Sequence, residues 1–249
     1  MIVLKSPREI ERMKTPCRIV AEVLQQLREL VVPGVTTLEL ESAALVATKK
    51  HKAIPAFKGY AGYPYALCCS PNNWVIHGMP NATPLKEGDV LSVDFGVLYD
   101  EFYGDAAVTL PVGKINDKAQ ALLTATEESL YCGIDQAVVG GRLYDISHAV
   151  QRHVESRGYS VVRDYVGHGI GKRLHEDPQV PNYGIAGRGV ALKAGMVLAI
   201  EPMVNCGGYD VKVLEDGWTA VTADGSLSAH FEHTVALTDH GPEILTRLV

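Results

Sequence analysis

Asp94, Asp105, Glu201 and Glu232 are carboxylates set where a folding chain has no reason to place charge. Asp94 interrupts the apolar run from Val90 to Val97, Glu201 ends Val197, Leu198, Ala199 and Ile200, and Glu232 follows Phe231 just ahead of Thr234 to Leu237. An unpaired carboxylate in such a strand is costly enough that it either protonates or finds a cation. The fifth residue of interest is His168, an imidazole in the glycine-rich run Gly167, His168, Gly169, Ile170, Gly171, where backbone can approach closely. Each acid alone reads as an ordinary salt-bridged strand residue; converging with one imidazole, the four argue for bound metal.

One imidazole and four carboxylates form an oxygen-rich donor set, unlike the thiolate and imidazole sets of structural zinc. Four carboxylates around a single divalent ion would be over-charged. Two ions sharing two of the carboxylates balance the charge and match the two-metal arrangement of hydrolytic sites, and cobalt, manganese, iron or zinc (Co, Mn, Fe or Zn) would each suit such donors. Two further histidines stand beside glycine or acid: His77 before Gly78, and His175 before Glu176 and Asp177. The other six (His51, His148, His153, His230, His233 and His240) read as structural or surface residues.

The elements that position these residues follow from capping and periodicity. Ser6, Pro7 and Glu9 make an N-cap, a first-turn proline and a capping-box acid, followed by Ile10, Met13, Cys17, Val20, Leu24, Leu27 and Val31 at helical spacing. Pro33 and Gly34 end that helix, and Thr36 with Glu39 opens a second that runs to about residue 51. Further helices are expected over 117–138 and 144–157, the latter closed by Gly158.

Lys86 to Asp94 matches Lys193 to Glu201 at an offset of 107 residues with four identities in nine, and Gly34 and Gly141 share that offset. Two landmarks in one register suggest a duplication, with pseudo-repeats of about 1–112 and 113–249 within one domain, 1–249. Asp94 and Glu201 then face each other across the site. A hairpin turning between Tyr99 and Asp100 would pair Asp94 directly with Asp105.

The chain has 249 residues, 47% of them hydrophobic, and a formal net charge of −6. Its lysines and arginines are dispersed, so no basic stripe offers a nucleic-acid or membrane surface. No apolar run approaches the ~20 residues of a membrane span. Five cysteines, an odd number without paired metal or redox spacing, read as free thiols in a reducing, cytoplasmic compartment.

His77 with Gly78, Val93 with Asp94, Gly104 with Asp105, Gly167 to Gly171, His175 to Pro178, Ala199 to Pro202 and Phe231 to Thr234 together closely resemble the type I methionine aminopeptidases, along the whole chain. The resemblance implies an α+β "pita-bread" fold, two pseudo-symmetric halves with helices outside a curved antiparallel sheet. It implies a monomeric cytoplasmic enzyme that removes the N-terminal methionine of nascent polypeptides, met at the ribosome, when the second residue is small. Asp94 would chelate one ion, His168 and Glu201 the other, and Asp105 and Glu232 both, while Glu201 doubles as proton shuttle. His77 and His175 would contact the scissile amide, and Phe57, Tyr60, Tyr63, Cys68, Leu174 and Trp218 would line the methionine pocket. The sequence departs from the family at Asn73 and Trp74, ahead of His77, and at Leu174.

Two relatives of the same fold are also to be weighed. A proline-directed aminopeptidase or dipeptidase would share the metal donors but carries an extra N-terminal domain, whereas a capped helix opens here at Ser6. A non-enzymatic binding member would have lost donors and gained basic surface.

Overall fold

The computed structural model describes residues 1–247. Helix α1 spans Pro7–Leu30, and its capping box is complete: Ser6 Oγ accepts from Glu9 N while Glu9 Oε2 accepts from Ser6 N at 2.9 Å. The expected stripe from Ile10 to Leu27 is buried. Helix α2, Thr37–Lys50, begins with the same device between Thr36 and Glu39. These two helices cover a four-stranded antiparallel sheet built on the hairpin of Val90–Tyr99 and Phe102–Pro111, flanked by Leu67–Pro71 and Ile54–Pro55. Their apolar faces meet in one core that includes Val20, Leu27, Leu40, Leu91 and Phe95.

Helices α3 (Asp117–Ile134) and α4 (Leu143–Glu155) cover the second half. Its main sheet has five antiparallel strands, in the order Gly241–Ile244, His233–Thr238, Val197–Ile200, Gly167–Gly169 and Glu176–Val180. A second core containing Leu122, Leu130, Ile146, Val150, Leu198 and Val235 lies beneath this pair. Helix α3 stops four residues before the expected boundary, because the amides of Gln136 and Ala137 bond to the Gly133 and Ile134 carbonyls in tight turns that lead to Gly140 at φ 91°. Among the described residues, no helix is long and apolar enough to cross a membrane.

The register of the central hairpin differs from expectation. Tyr99 pairs with Phe102, which places Asp94 opposite Ala107 and Asp105 opposite Gly96. The turn residues are Asp100 and Glu101, at φ 47° and 70°; two left-handed residues make a turn whose twist matches that of the strands. Arg12 of α1 holds it, donating through Nε to Asp100 Oδ2 at 3.1 Å and through Nη2 to Asp100 O at 2.9 Å. Because the pairing shifts by two residues, Asp94 and Asp105 stay on the same face as diagonal neighbours.

The two halves are joined along one seam. Glu232 N donates to Ala107 O at 2.9 Å, His230 N donates to Thr109 Oγ1 at 2.8 Å, and Thr234 Oγ1 donates to Asp105 O at 2.8 Å. These bonds carry the acids of one sheet onto those of the other.

Candidate metal centre and its cavity

Asp94 and Asp105 come from the central hairpin, His168 from the short strand Gly167–Gly169, Glu201 from the residue after Val197–Ile200, and Glu232 from the break between Ser228–His230 and His233–Thr238. Strand alternation turns the apolar neighbours of each acid into the two cores and the acid into the space between them. Gly96 makes room for this: a Cβ there would meet Asp105 Oδ1 and Phe57 Cε1, each at 3.0 Å. Gly169 does the same for the His168 strand, since a Cβ would lie 2.2 Å from Asp177 O.

Asp105, His168 and Glu232 each offer a donor atom within 4.8 Å of the others. His168 Nε2 is 3.5 Å from Glu201 Oε1. The other ring nitrogen, Nδ1, donates to Gly169 O at 2.9 Å, which leaves the Nε2 lone pair facing the acids. Burial holds the His168 pKa down to about 3, so the ring is neutral.

Burial drives the four acids the other way. Asp94 is pushed up to about 7 and Glu201 to about 8. Asp105 and Glu232 are pushed well above the usual carboxylate range, by burial first and then by neighbouring acids: Asp94 and Glu201 beside Asp105, and Asp105, Glu201 and Asp94 beside Glu232. Asp94 Oδ1, Asp105 Oδ1 and Glu232 Oε1 are buried without a hydrogen-bond partner among the described residues. Orphaned buried carboxylate oxygens are a standing cost that a cation removes. The donor set therefore fits divalent metal.

One cavity of about 160 Å³ is lined by Phe57, Tyr60, Tyr63, Cys68, His77, Asp94, Asp105, His168, Leu174, His175, Glu201, Trp218 and Glu232. Every candidate site residue read from the sequence is in that lining. The space suits a single side chain: an apolar cavity of about 150 Å³ holds one benzene. Phe57, Tyr63, Cys68 and Leu174 are buried, while Tyr60, 45% exposed, forms the rim. The Tyr63 hydroxyl lies 2.9 Å from Leu67 O and 3.0 Å from Gly78 O, so only its ring is available as wall, and Trp218 packs edge-on against it with centroids 5.1 Å apart.

His77 follows the strand Trp74–Ile76 at φ 58°, a left-handed conformation that is unusual for a residue with a Cβ and is concentrated at functional sites. Its ring packs edge-on to Tyr165 at 5.5 Å, and burial lowers its pKa to about 4. His175 lies with its ring centroid 4.3 Å from that of His168, and its Nδ1 is 2.7 Å from the Tyr60 hydroxyl. The loop carrying His175 is anchored by a buried ion pair, Lys5 Nζ to Glu176 Oε2 at 2.7 Å.

One histidine set aside in the sequence reading belongs here. His230 is buried, with Nε2 3.5 Å from Glu201 Oε2. Its separation of two from Glu232, which puts both on one face of an extended segment, was the available signal. His233 instead turns away, with Nδ1 2.8 Å from Thr246 Oγ1.

Residues 11–239 match the family model described as Metallopeptidase family M24. The chain is 56% identical over 246 residues to the methionine aminopeptidase of Clostridium perfringens (strain 13 / Type A), covering 99% of each. It is similar in structure to the crystal structure of methionine aminopeptidase from Thermotoga maritima, with TM-score 0.98, 52% identity and full coverage of both chains. The prolidase from Pyrococcus furiosus shares the fold at TM-score 0.81 and 22% identity, with this chain covering 66% of its length.

Proposed function

Because the chain belongs to metallopeptidase family M24 and has that family's pita-bread fold, we propose that it removes the N-terminal methionine from proteins and peptides whose second residue is small. The observation that carries this reading is the single cavity in which four acids, Asp105 and Glu232 buried and Asp94 and Glu201 half-buried, and three imidazoles open onto an apolar wall sized for one side chain. Asp94, Asp105, His168, Glu201 and Glu232 would hold two divalent ions (Co, Mn, Fe or Zn). When bound, such ions supply Lewis acidity, lowering the pKa of water toward neutrality and polarising a carbonyl.

The chain's own residues supply the rest. Glu201, beside His168 and His230, takes the proton of the attacking water and returns it to the leaving amide nitrogen. His77 and His175 are neutral rings whose N–H groups donate to the scissile amide and its developing oxyanion. With the Tyr60 hydroxyl donating to His175 Nδ1, the His175 proton sits on Nε2. Phe57, Tyr63, Cys68, Leu174 and Trp218 enclose the methionine side chain. The close walls exclude bulk after the scissile bond, where about 1 Å of misplacement costs roughly 100-fold in rate.

In this reading the chain works as one domain of two related halves, as a monomer, on nascent chains leaving the ribosome in the cytoplasm. Release of free methionine from a Met-Ala-Ser peptide by purified, metal-loaded protein tests the assignment, with Met-Lys-Ser and Ala-Pro peptides in parallel. Absence of methionine release, or preferential cleavage of the Ala-Pro peptide, overturns it.

A further inference from the structure

Away from that cavity, α3 and α4 bring together three side chains in the order nucleophile, base and orienting acid. Cys132 Sγ lies 3.2 Å from His153 Nδ1, and His153 Nε2 lies 3.1 Å from Glu128 Oε2. Arg157 Nη2 fixes the same Glu128 oxygen at 2.8 Å. Glu128 and Cys132 are one turn apart on α3, His153 is in the last turn of α4, and Arg157 follows in the turn just after that helix, so the two elements present adjacent groups to each other. The helices meet this closely because residue 133 is glycine: a Cβ there would lie 2.8 Å from Val150 Cγ2.

Glu128 is a carboxylate and accepts, so His153 donates from Nε2 and presents the Nδ1 lone pair to the Cys132 thiol. A thiol within reach of a base that is itself oriented by a third group is the signature of an activated nucleophile. Cys132 is partly exposed and opens onto a groove of about 440 Å³ that shares no residue with the metal cavity.

We infer that Cys132 is a built thiol-exchange site, with His153 as its general base and Glu128 as the residue that orients it, taking low-molecular-weight disulfides as substrate. As the Cys132 sulfur attacks one sulfur of the small disulfide, its proton passes to His153 Nδ1. The S–S bond breaks, a mixed disulfide forms on Cys132, and the departing thiolate takes the proton from His153 and leaves as free thiol. Two electrons of the thiol reduce the disulfide, so no other oxidant is required.

The charges around the pair set its resting state. Burial and the Asp135 carboxylate raise the Cys132 thiol above its ordinary range, and burial and the Arg157 guanidinium lower the His153 imidazole below its own. The groove also presents Asp145, His148 and Arg152 from α4. The pair therefore rests as neutral thiol and neutral imidazole, and transfers its proton during the attack rather than before it. The other partly buried thiol, Cys206, has no hydrogen-bonded imidazole among the described residues, and Cys17, Cys68 and Cys69 are buried.

The test is the rate at which hydroxyethyl disulfide modifies the native, metal-loaded protein, with the modified residue located by peptide mass mapping. Cys132 is expected to react first, and His153→Gln to slow it about 100-fold near pH 7, the scale of general-base assistance. The gap should narrow as pH rises and thiols ionise unaided. Methionine release from Met-Ala-Ser should be unchanged in His153→Gln, which verifies that the fold is intact. Glu128→Gln provides a second variant and should slow the reaction by roughly tenfold. Modification of Cys206 first, or wild-type rates in both variants at pH 7, would overturn the inference.

Discussion

Lys5 Nζ and Glu176 Oε2 lie 2.7 Å apart, and each side chain is 4% exposed. The pair fastens the segment leading into α1 to the residue after His175, and Glu176 Oε1 also accepts from Arg173 N at 3.1 Å. Removing one member leaves the other charged and buried, at a cost of about 3–5 kcal/mol. Lys5→Met is therefore expected to lower the melting temperature, and to lower kcat more than it raises KM, because the His175 loop loses its anchor. Lys5→Arg should recover most of kcat. Equal kcat in wild type and Lys5→Met refutes the positioning role.

Glu201→Gln is nearly isosteric but cannot accept a proton. We expect kcat on a Met-Ala-Ser peptide to fall by about 10²–10⁴-fold, the scale of general acid–base assistance, with the far-ultraviolet circular dichroism unchanged. A variant keeping more than a tenth of wild-type kcat removes Glu201 from the mechanism.

Tyr60→Phe removes the hydroxyl 2.7 Å from His175 Nδ1 and nothing from the buried wall. Losing one hydrogen bond of about 1 kcal/mol corresponds to roughly fivefold in kcat. Because Tyr60 is 45% exposed, the melting temperature should hold. A large fall in stability with normal kcat would show Tyr60 to be structural.

Metal-free protein should lose stability in mildly alkaline solution. An acid whose folded pKa is raised contributes stability fully below its unfolded value, and that contribution is lost as pH rises through the folded value. For Asp94 that passage runs from 3.8 to about 7, and for Glu201 from 4.5 to about 8. His77 and His168 act in the opposite sense, between about 4 or about 3 and 6.5, their contribution being complete above that window. From about pH 6.5 to about pH 8.5 only the acids act, so the melting temperature of metal-free protein should fall there. Added manganese or cobalt should restore it, most strongly at the alkaline end, since ions and protons compete for the same oxygens. A flat profile without metal, or no gain on adding it, contradicts the assignment of these acids as metal donors.

How much of this was legible beforehand divides by range. Ser6 with Glu9 and Thr36 with Glu39 announce their helices because a capping box is a contact over three residues. Asp94, Glu201 and Glu232 stand out because the cost of charge within an apolar strand is visible from the neighbours alone. The pocket residues Phe57, Tyr60, Tyr63, Cys68, Leu174 and Trp218 came from resemblance, since an apolar side chain lining a cavity and one filling a core have the same local pattern.

Tertiary structure decided what local pattern leaves open. The hairpin register rests on a turn at Asp100 and Glu101 pinned by Arg12, about ninety residues earlier, and it makes Asp94 and Asp105 diagonal rather than opposed. Lys5 meets Glu176 across the two halves, which the bonds between residues 105–109 and 230–234 hold together, whereas His230 meets Glu201 and Cys132 meets His153 through packing within the second half. Residue type determined which groups can ligate, donate or attack. The long-range packing that offsets the entropy of closing those loops determined which of them meet.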